Sequence, residues 1–330
     1  MVQKKQTKAR THRKHPMVTE TGLDRLQSRL SVSTQHTLGE IWRSMPADIL
    51  RCKEGMAFGE ERKYLAWEIP ETVGEAGPVE ITQITDVQFG HRSCRYDRML
   101  EYRDWVLSVP NRFMVWTGDM IDAWAAWSPG RPFEQLFDPL SQIVRFAEAW
   151  APARHRVLGY VGGNHERRAI LGFGDLGTLL AMVLKLPYSS GRQIIDIYYG
   201  RHNPFKLSLW HGRGGARTKG TVAQTLDRFM HQGDSQIYLM GHLHQPLILP
   251  GWKEVRDEKT RTIVLKKCIG AVGSSFLSTW GTYGEVAGYN ATDVLMPRIV
   301  LEANGHWEMT LKVLWYLFVP VGMAALGVWT

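Results

Sequence analysis

Cysteine is scarce in this chain: three residues in 330, at Cys52, Cys94 and Cys268. So few, and an odd number, build no disulfide framework, and none sits at a C-x-x-C spacing, which excludes a zinc–thiolate centre of that type. The expected setting is reducing, the cytoplasm. The N-terminus lacks a long apolar run, so its charges are not followed by the apolar stretch of a secretory signal. Acidic residues are also short: 32 Asp and Glu stand against 40 Lys and Arg, a formal charge of +8. That balance favours a polyanionic partner such as nucleic acid or a membrane surface. Part of it is local, because Lys4, Lys5, Lys8, Arg10, Arg13 and Lys14 all lie in the first fourteen residues. The rest of the composition, 44% hydrophobic, is ordinary for a globular protein and excludes collagen, coiled coil and wholesale disorder.

Residues 1–16 read as a basic arm, disordered when free. Residues 17–70 read as a small helical region with apolar positions at Leu23, Leu26, Leu30, Leu38, Ile41, Trp42 and Met45. It fits a helical cap on the main domain better than a helix-turn-helix module, since no diagnostic turn spacing is present. Residues 71–78, with Gly74, Gly77 and Pro78, read as a linker. From Val79 short apolar strands alternate with helices, the pattern of a layered α/β domain that extends to about residue 315. Strands are expected at 79–85, 112–117, 156–161, 206–210 and 236–240. Asp138 and Pro139 open a helix as N-cap and first helical residue, and Leu140, Ile143, Val144, Ala147 and Trp150 mark its apolar face. A second helix is expected over 221–231. Asn304-Gly305 signals a hairpin between 297–301 and the alternating Trp307, Met309, Leu311 and Val313. The tail 316–330 carries no charge but is short for a membrane span and contains Pro320, so membrane contact is the less favoured reading.

Five short polar motifs follow strands in one order: Asp86-Val87-Gln88, Gly118-Asp119-Met120-Ile121-Asp122, Gly163-Asn164-His165-Glu166, His211-Gly212 and Gly241-His242-Leu243-His244. Carboxylates, imidazoles and an amide without thiolate are the donor types of a two-cation hydrolytic site. His242 and His244, two residues apart in an extended segment, point the same way. Over residues 79–250 the order and spacing resemble the calcineurin-like metallophosphoesterases, whose signature runs D-x-H, G-D-x-x-D, G-N-H-[DE], H-G and G-H-x-H. The resemblance implies a two-sheet α/β sandwich flanked by helices and two divalent cations, manganese or magnesium. It implies Asp119 as the bridging carboxylate. One cation would take Asp86, Gln88 and His244, the other Asn164, His211 and His242. His165 is then the candidate general acid for the leaving oxygen, and Asp122 the group that holds its tautomer. The run Gly163 to Arg168 looks most like that of phage-type DNA-repair exonuclease-like proteins.

Gln88 departs from this signature, which has histidine there. An amide oxygen is a poorer donor to a borderline metal, so the first cation is expected to bind weakly and to be magnesium or manganese ahead of zinc. His91, just beyond, is open as a substitute ligand, a substrate contact or a solvated loop residue. Arg92, Arg95, Arg167, Arg168, Arg213, Arg217 and Lys219 crowd the same loops and are candidate phosphate contacts. Trp124 and Trp127 read as packing more readily than as base-stacking surfaces. The expected function is metal-dependent phosphoester hydrolysis, with DNA or RNA the leading substrate. The alternatives are a phosphatase or pyrophosphatase on a small-molecule or lipid substrate, and a weakly active nucleic-acid-binding protein with a degraded first metal site.

Overall fold

A computed structural model describes residues 32–52, 61–127, 132–201, 204–216, 218–258, 260–280, 285, 288 and 290–313. The basic arm 1–16, the tail 316–330 and Arg217 lie outside the described residues. The strands are β1 (Arg51–Cys52), β2 (Tyr64–Glu68), β3 (Val79–Ile84), β4 (Arg112–Trp116), β5 (Val157–Val161), β6 (Tyr188–Ser189) and β7 (Arg192–Tyr198). They continue as β8 (Phe205–Trp210), β9 (Ile237–Met240), β10 (Leu247–Asp257), β11 (Thr262–Val272), β12 (Leu295–Leu301) and β13 (Trp307–Val313). Two mixed sheets result, in the orders β13-β12-β3-β4-β5-β6 and β1-β2-β7-β8-β9-β11-β10. Stacked with helices on their outer faces, they form an α/β sandwich.

Alternation along each strand divides the layers. Phe113 and Val115 of β4 face the inter-sheet core with Ile81, Leu158, Ile195, Leu207 and Leu239. Met114 and Trp116 face the opposite way, into the cluster built with the helices Val32–Ser44, Tyr96–Leu107, Pro139–Trp150 and Leu176–Leu184. There Trp116 meets Phe146, Trp150 and Tyr160 edge-on, at centroid distances of 5.5, 5.3 and 5.6 Å. The helix Lys219–Met230 covers the second sheet through Val222, Leu226 and Phe229. Asp138 caps its helix as expected, accepting from the N–H groups of Leu140 and Ser141. The expected hairpin is present too, with β12 and β13 antiparallel and Leu301 opposite Trp307.

The region 17–70 differs from its helical reading. Among its described residues there is one helix, Val32–Ser44, which packs Leu38 and Ile41 into the first core and donates the Trp42 indole N–H to the Val183 carbonyl at 2.8 Å. Its other described residues supply β1 and β2, and β2 pairs in parallel with β7 inside the seven-stranded sheet. The apolar stretch Leu65-Ala66-Trp67 is too short for its period to separate strand from helix. Glu71–Gly74, read as linker, is a helical turn that buries Val73. Among the described residues no helix is long and apolar enough to cross a membrane.

Glu80 fastens three strands of the first sheet, with Oε2 2.7 Å from Arg298 Nε and 3.3 Å from Arg112 Nε. Burial raises its carboxyl, but the two guanidinium groups outweigh it and hold the group below its usual range. A lowered folded-state pKa adds stability above the unfolded value, and this is lost as pH falls through the folded one. Glu80→Gln should therefore cost about 1–2 kcal/mol at neutral pH. The gap from wild type should close below about pH 4 in thermal melts. A constant gap across that range would contradict the assignment.

Candidate metal centre

The five motifs meet at the C-terminal ends of β3, β4, β5, β8 and β9. Beyond β3 and β4 the chains stay paired: Asp86 N–H donates to the Gly118 carbonyl at 3.0 Å, and Gln88 N–H to the Asp119 carbonyl at 2.9 Å. The third loop approaches so closely that a Cβ on Gly163 would lie 2.0 Å from Asp119 Oδ1. Gly118, at φ +93°, would place a Cβ 2.6 Å from His211 Nδ1. These glycines are required by contact between loops. Asp86, Gln88, Asp119, His242 and His244 all adopt left-handed backbone, with φ from 48° to 69°. Each such non-glycine residue costs on the order of 1 kcal/mol, strain that the surrounding structure must impose.

Donor atoms of Asp119, His211 and His242 all lie within 4.8 Å of one another, the arrangement of a cation site. His211 Nδ1 donates to the Thr117 carbonyl at 2.7 Å. That turns Nε2 inward, 3.2 Å from Asp119 Oδ2 and 3.0 Å from Asn164 Oδ1. His242 Nε2 is 2.7 Å from the Gly214 carbonyl, which leaves Nδ1 to face the cluster. Alongside, Asp86 Oδ1 lies 3.0 Å from His244 Nε2, while its Oδ2 accepts from Thr85 Oγ1 at 2.6 Å and from His242 N–H at 2.8 Å. Asp119, Asn164, His211 and His242 thus lie together, and Asp86 lies with His244.

The charges reinforce one another. Burial alone would raise the Asp119 carboxyl, but His165 and His211 outweigh it and hold it well below the carboxylate range. Burial likewise raises Asp86, and His244 outweighs it. Burial lowers the His211 imidazole, yet Asp119 drives it up to about 9. Burial and the charge of His211 both lower His242.

His165 is placed differently from the ligands. Its backbone N–H donates to Asp119 Oδ1 at 2.8 Å, and its Nδ1 is 2.9 Å from Asp122 Oδ1. Nε2 therefore faces the cluster, 3.6 Å from Asp119 Oδ2. The Gln88 amide nitrogen is 3.2 Å from this same Nε2, so the departing residue of the first motif touches the candidate acid. His91 is not solvated. Its Nδ1 accepts from Ser93 N–H at 3.1 Å, and its Nε2 is 3.8 Å from Glu134 Oε2, so both nitrogens are engaged.

The cations are less concentrated than their sequence positions imply. Arg95 pairs with Asp293 at 2.8 Å. Arg167 donates to the carbonyls of Gly162 and Ser190 at 3.2 and 2.6 Å. Arg168 is half-buried, 4.0 Å from Asp122 Oδ1, while Arg92, Arg213 and Lys219 are exposed. Trp124 is half-buried, and Trp127 is exposed with its indole N–H donating to the Arg168 carbonyl at 2.6 Å.

Glu166 is the residue whose role the sequence reading missed. It is fully buried; Oε2 accepts from the N–H groups of Asp119 and Gly163 at 3.0 and 2.9 Å. Oε1 accepts from Met120 N–H at 2.6 Å and from Tyr160 OH at 3.1 Å. Burial, then the charge of Asp119, raise its carboxyl, while four donors favour the acceptor-only ionised form. An acid three residues after Gly163, at the start of the helix Asn164–Arg168, was the available signal. Glu166→Gln would set an N–H group against a backbone donor. It should destabilise the chain by about 2–4 kcal/mol, lowering the melting temperature. An unchanged melting curve would show that Glu166 does not fasten the two loops.

No family model matches the chain, and no curated protein matches it. Among solved structures, a conserved uncharacterized protein described as a predicted phosphoesterase, from Streptococcus pneumoniae TIGR4, is 15% identical. That match covers 72% of this chain and 99% of the other, with a TM-score of 0.31. Vps29 of Chaetomium thermophilum is 9% identical, over 71% of this chain and 97% of its own, with a TM-score of 0.33.

Proposed function

We propose that this chain is a calcineurin-like metallophosphoesterase, hydrolysing phosphoesters with two divalent cations, manganese or magnesium. The observation that carries the reading is the convergence of five strand-end loops on Asp119, His211 and His242. The donor set fits such cations: carboxylates, an amide oxygen and imidazoles whose second nitrogens are held by backbone carbonyls. When bound, the cations supply Lewis acidity for a phosphoryl oxygen and an activated water. The chain's own contribution is to position and to move a proton. Asp122 orients His165 so that Nε2 faces the site, where it can protonate the leaving oxygen. Arg168, beside Asp122, offers a guanidinium to the phosphate.

The charge of the chain supports a nucleic-acid strand as substrate, which Arg92, Arg168, Arg213 and Lys219 would meet. A lipid or other small phosphoester is a second reading, favoured by exposed apolar side chains that flank Gln135, which bonds to Asp122. The free cysteines, of which Cys94 and Cys268 are buried, suit a cytoplasmic setting. The test is to assay the purified chain with Mn²⁺ on single- and double-stranded DNA, RNA and a generic phosphodiester side by side. Turnover of the generic diester is expected; none on any substrate at any Mn²⁺ concentration would sink the proposal.

Gln88 gives a separate check. Gln88→His restores the signature and should lower the Mn²⁺ concentration for half-maximal activity. His91→Ala should leave it unchanged, since Ser93 and Glu134 already engage that ring. A shift for His91→Ala alone would make His91 the ligand.

A further inference from the structure

We infer that the phosphoester taken by this site is an amphiphile, its apolar chain lying over an exposed apolar rim beside the Asp122–His165 pair while its phosphate reaches the cation cluster. This rests on the phosphoesterase reading and chooses the second of its two substrate readings over the nucleic-acid strand. Five large apolar side chains form the rim: Trp127 at 56% exposure, Phe133 at 65%, Leu136 at 50%, Ile170 at 44% and Leu171 at 81%. They stand on three segments tied to the candidate catalytic groups. The Trp127 indole bonds to the Arg168 carbonyl, two residues before Ile170. Gln135, between Phe133 and Leu136, donates to Asp122 Oδ2 at 2.5 Å. Leu136 N–H donates to the Gly90 carbonyl at 2.8 Å, on the loop that carries Asp86 and Gln88. Ile170 and Leu171 follow, after Ala169, the helix Asn164–Arg168 that presents His165.

Single exposed apolar residues need no explanation, but a group of them around a site marks a binding surface. The composition decides what it binds. Leu136, Ile170 and Leu171 are aliphatic and offer no face on which a base could stack, so water exclusion is their contribution. Half-buried Arg168 precedes Ile170, and exposed Arg92 donates its backbone N–H to the Glu134 carbonyl at 2.8 Å, so anionic and apolar recognition adjoin. A charged phosphate with an alkyl or acyl chain matches both. In the reaction the oxygen of water bonds to phosphorus and the bond from phosphorus to the leaving oxygen breaks. One proton of water goes to that leaving oxygen, and the other stays on or ionises from the product phosphate.

The test uses p-nitrophenyl n-alkyl phosphodiesters, from methyl to decyl, below their micelle-forming concentrations, with the Mn²⁺-loaded full chain. KM should fall by about thirtyfold or more from methyl to decyl while kcat changes little. The double variant Phe133→Ser, Leu171→Ser should keep wild-type kinetics on the methyl ester and lose about tenfold of the decyl gain. A flat chain-length series, or an equal loss on methyl and decyl esters, overturns the inference. So does a higher kcat/KM on a DNA or RNA strand than on the decyl ester, which would make the rim a strand contact. A dimer in light scattering that the double variant disperses would assign the rim to a second copy instead. No turnover even of the methyl ester would overturn the phosphoesterase reading as well, a result distinct from a flat series.

Discussion

Asp119→Asn is expected to abolish turnover, by about three orders of magnitude or more, while the fold survives. The carboxylate is 1% exposed and touches both a candidate ligand and the candidate acid, through His211 Nε2 at 3.2 Å and the His165 backbone N–H at 2.8 Å. Asparagine keeps the shape and can still accept from His165. It removes the charge that a bridging position requires, and it sets an N–H group or a neutral oxygen against His211. Circular dichroism should therefore be unchanged while turnover at saturating Mn²⁺ disappears. Near-wild-type turnover in that variant would mean that Asp119 is not the bridge.

His165→Ala should lose roughly two to four orders of magnitude in kcat, the range for a missing general acid, with bound metal unchanged. The imidazole is buried, which lowers its pKa, yet the charges of Asp119 and Asp122 outweigh burial and hold it above its usual range. It is therefore disposed to carry a proton toward the site. A substrate whose leaving group has a low pKa needs no proton and should suffer less. Equal losses on activated and unactivated esters, or loss of bound metal, would contradict a proton-donating role and make His165 a ligand or a scaffold residue.

Much of the sandwich was legible because strand and motif coincide. A strand expected over 112–117 is Arg112–Trp116, and one expected over 236–240 is Ile237–Met240, each ending where its polar motif begins. Loops that must carry ligands break the apolar pattern abruptly, so their boundaries were sharp. The β10–β11 hairpin was not legible. Its outer half is largely exposed, with Trp252, Ile263 and Leu265 facing outward, so no buried face imposes a period, and its turn offers no glycine, asparagine or proline. At the site, residue types could be read but directions could not. Arg95 looked like a phosphate contact, yet its partner Asp293 lies 198 residues away. Gln88 read as a metal ligand from its position alone, and its amide nitrogen contacts His165, which no spacing displays. Glu166 acts on backbone N–H groups of Asp119, Met120 and Gly163, a role that no side-chain pattern displays.

Counting Mn²⁺ bound per chain by equilibrium dialysis, while following phosphodiester turnover in the same samples, tests the central claim most directly. Chelator-stripped protein should be inactive, and titration should restore turnover as the count rises to two. The second equivalent, at the Asp86–Gln88–His244 group, should bind more weakly than the first. Turnover that persists in metal-free protein, or a chain that binds no Mn²⁺ at any concentration, would contradict a metal-dependent phosphoesterase built on these loops.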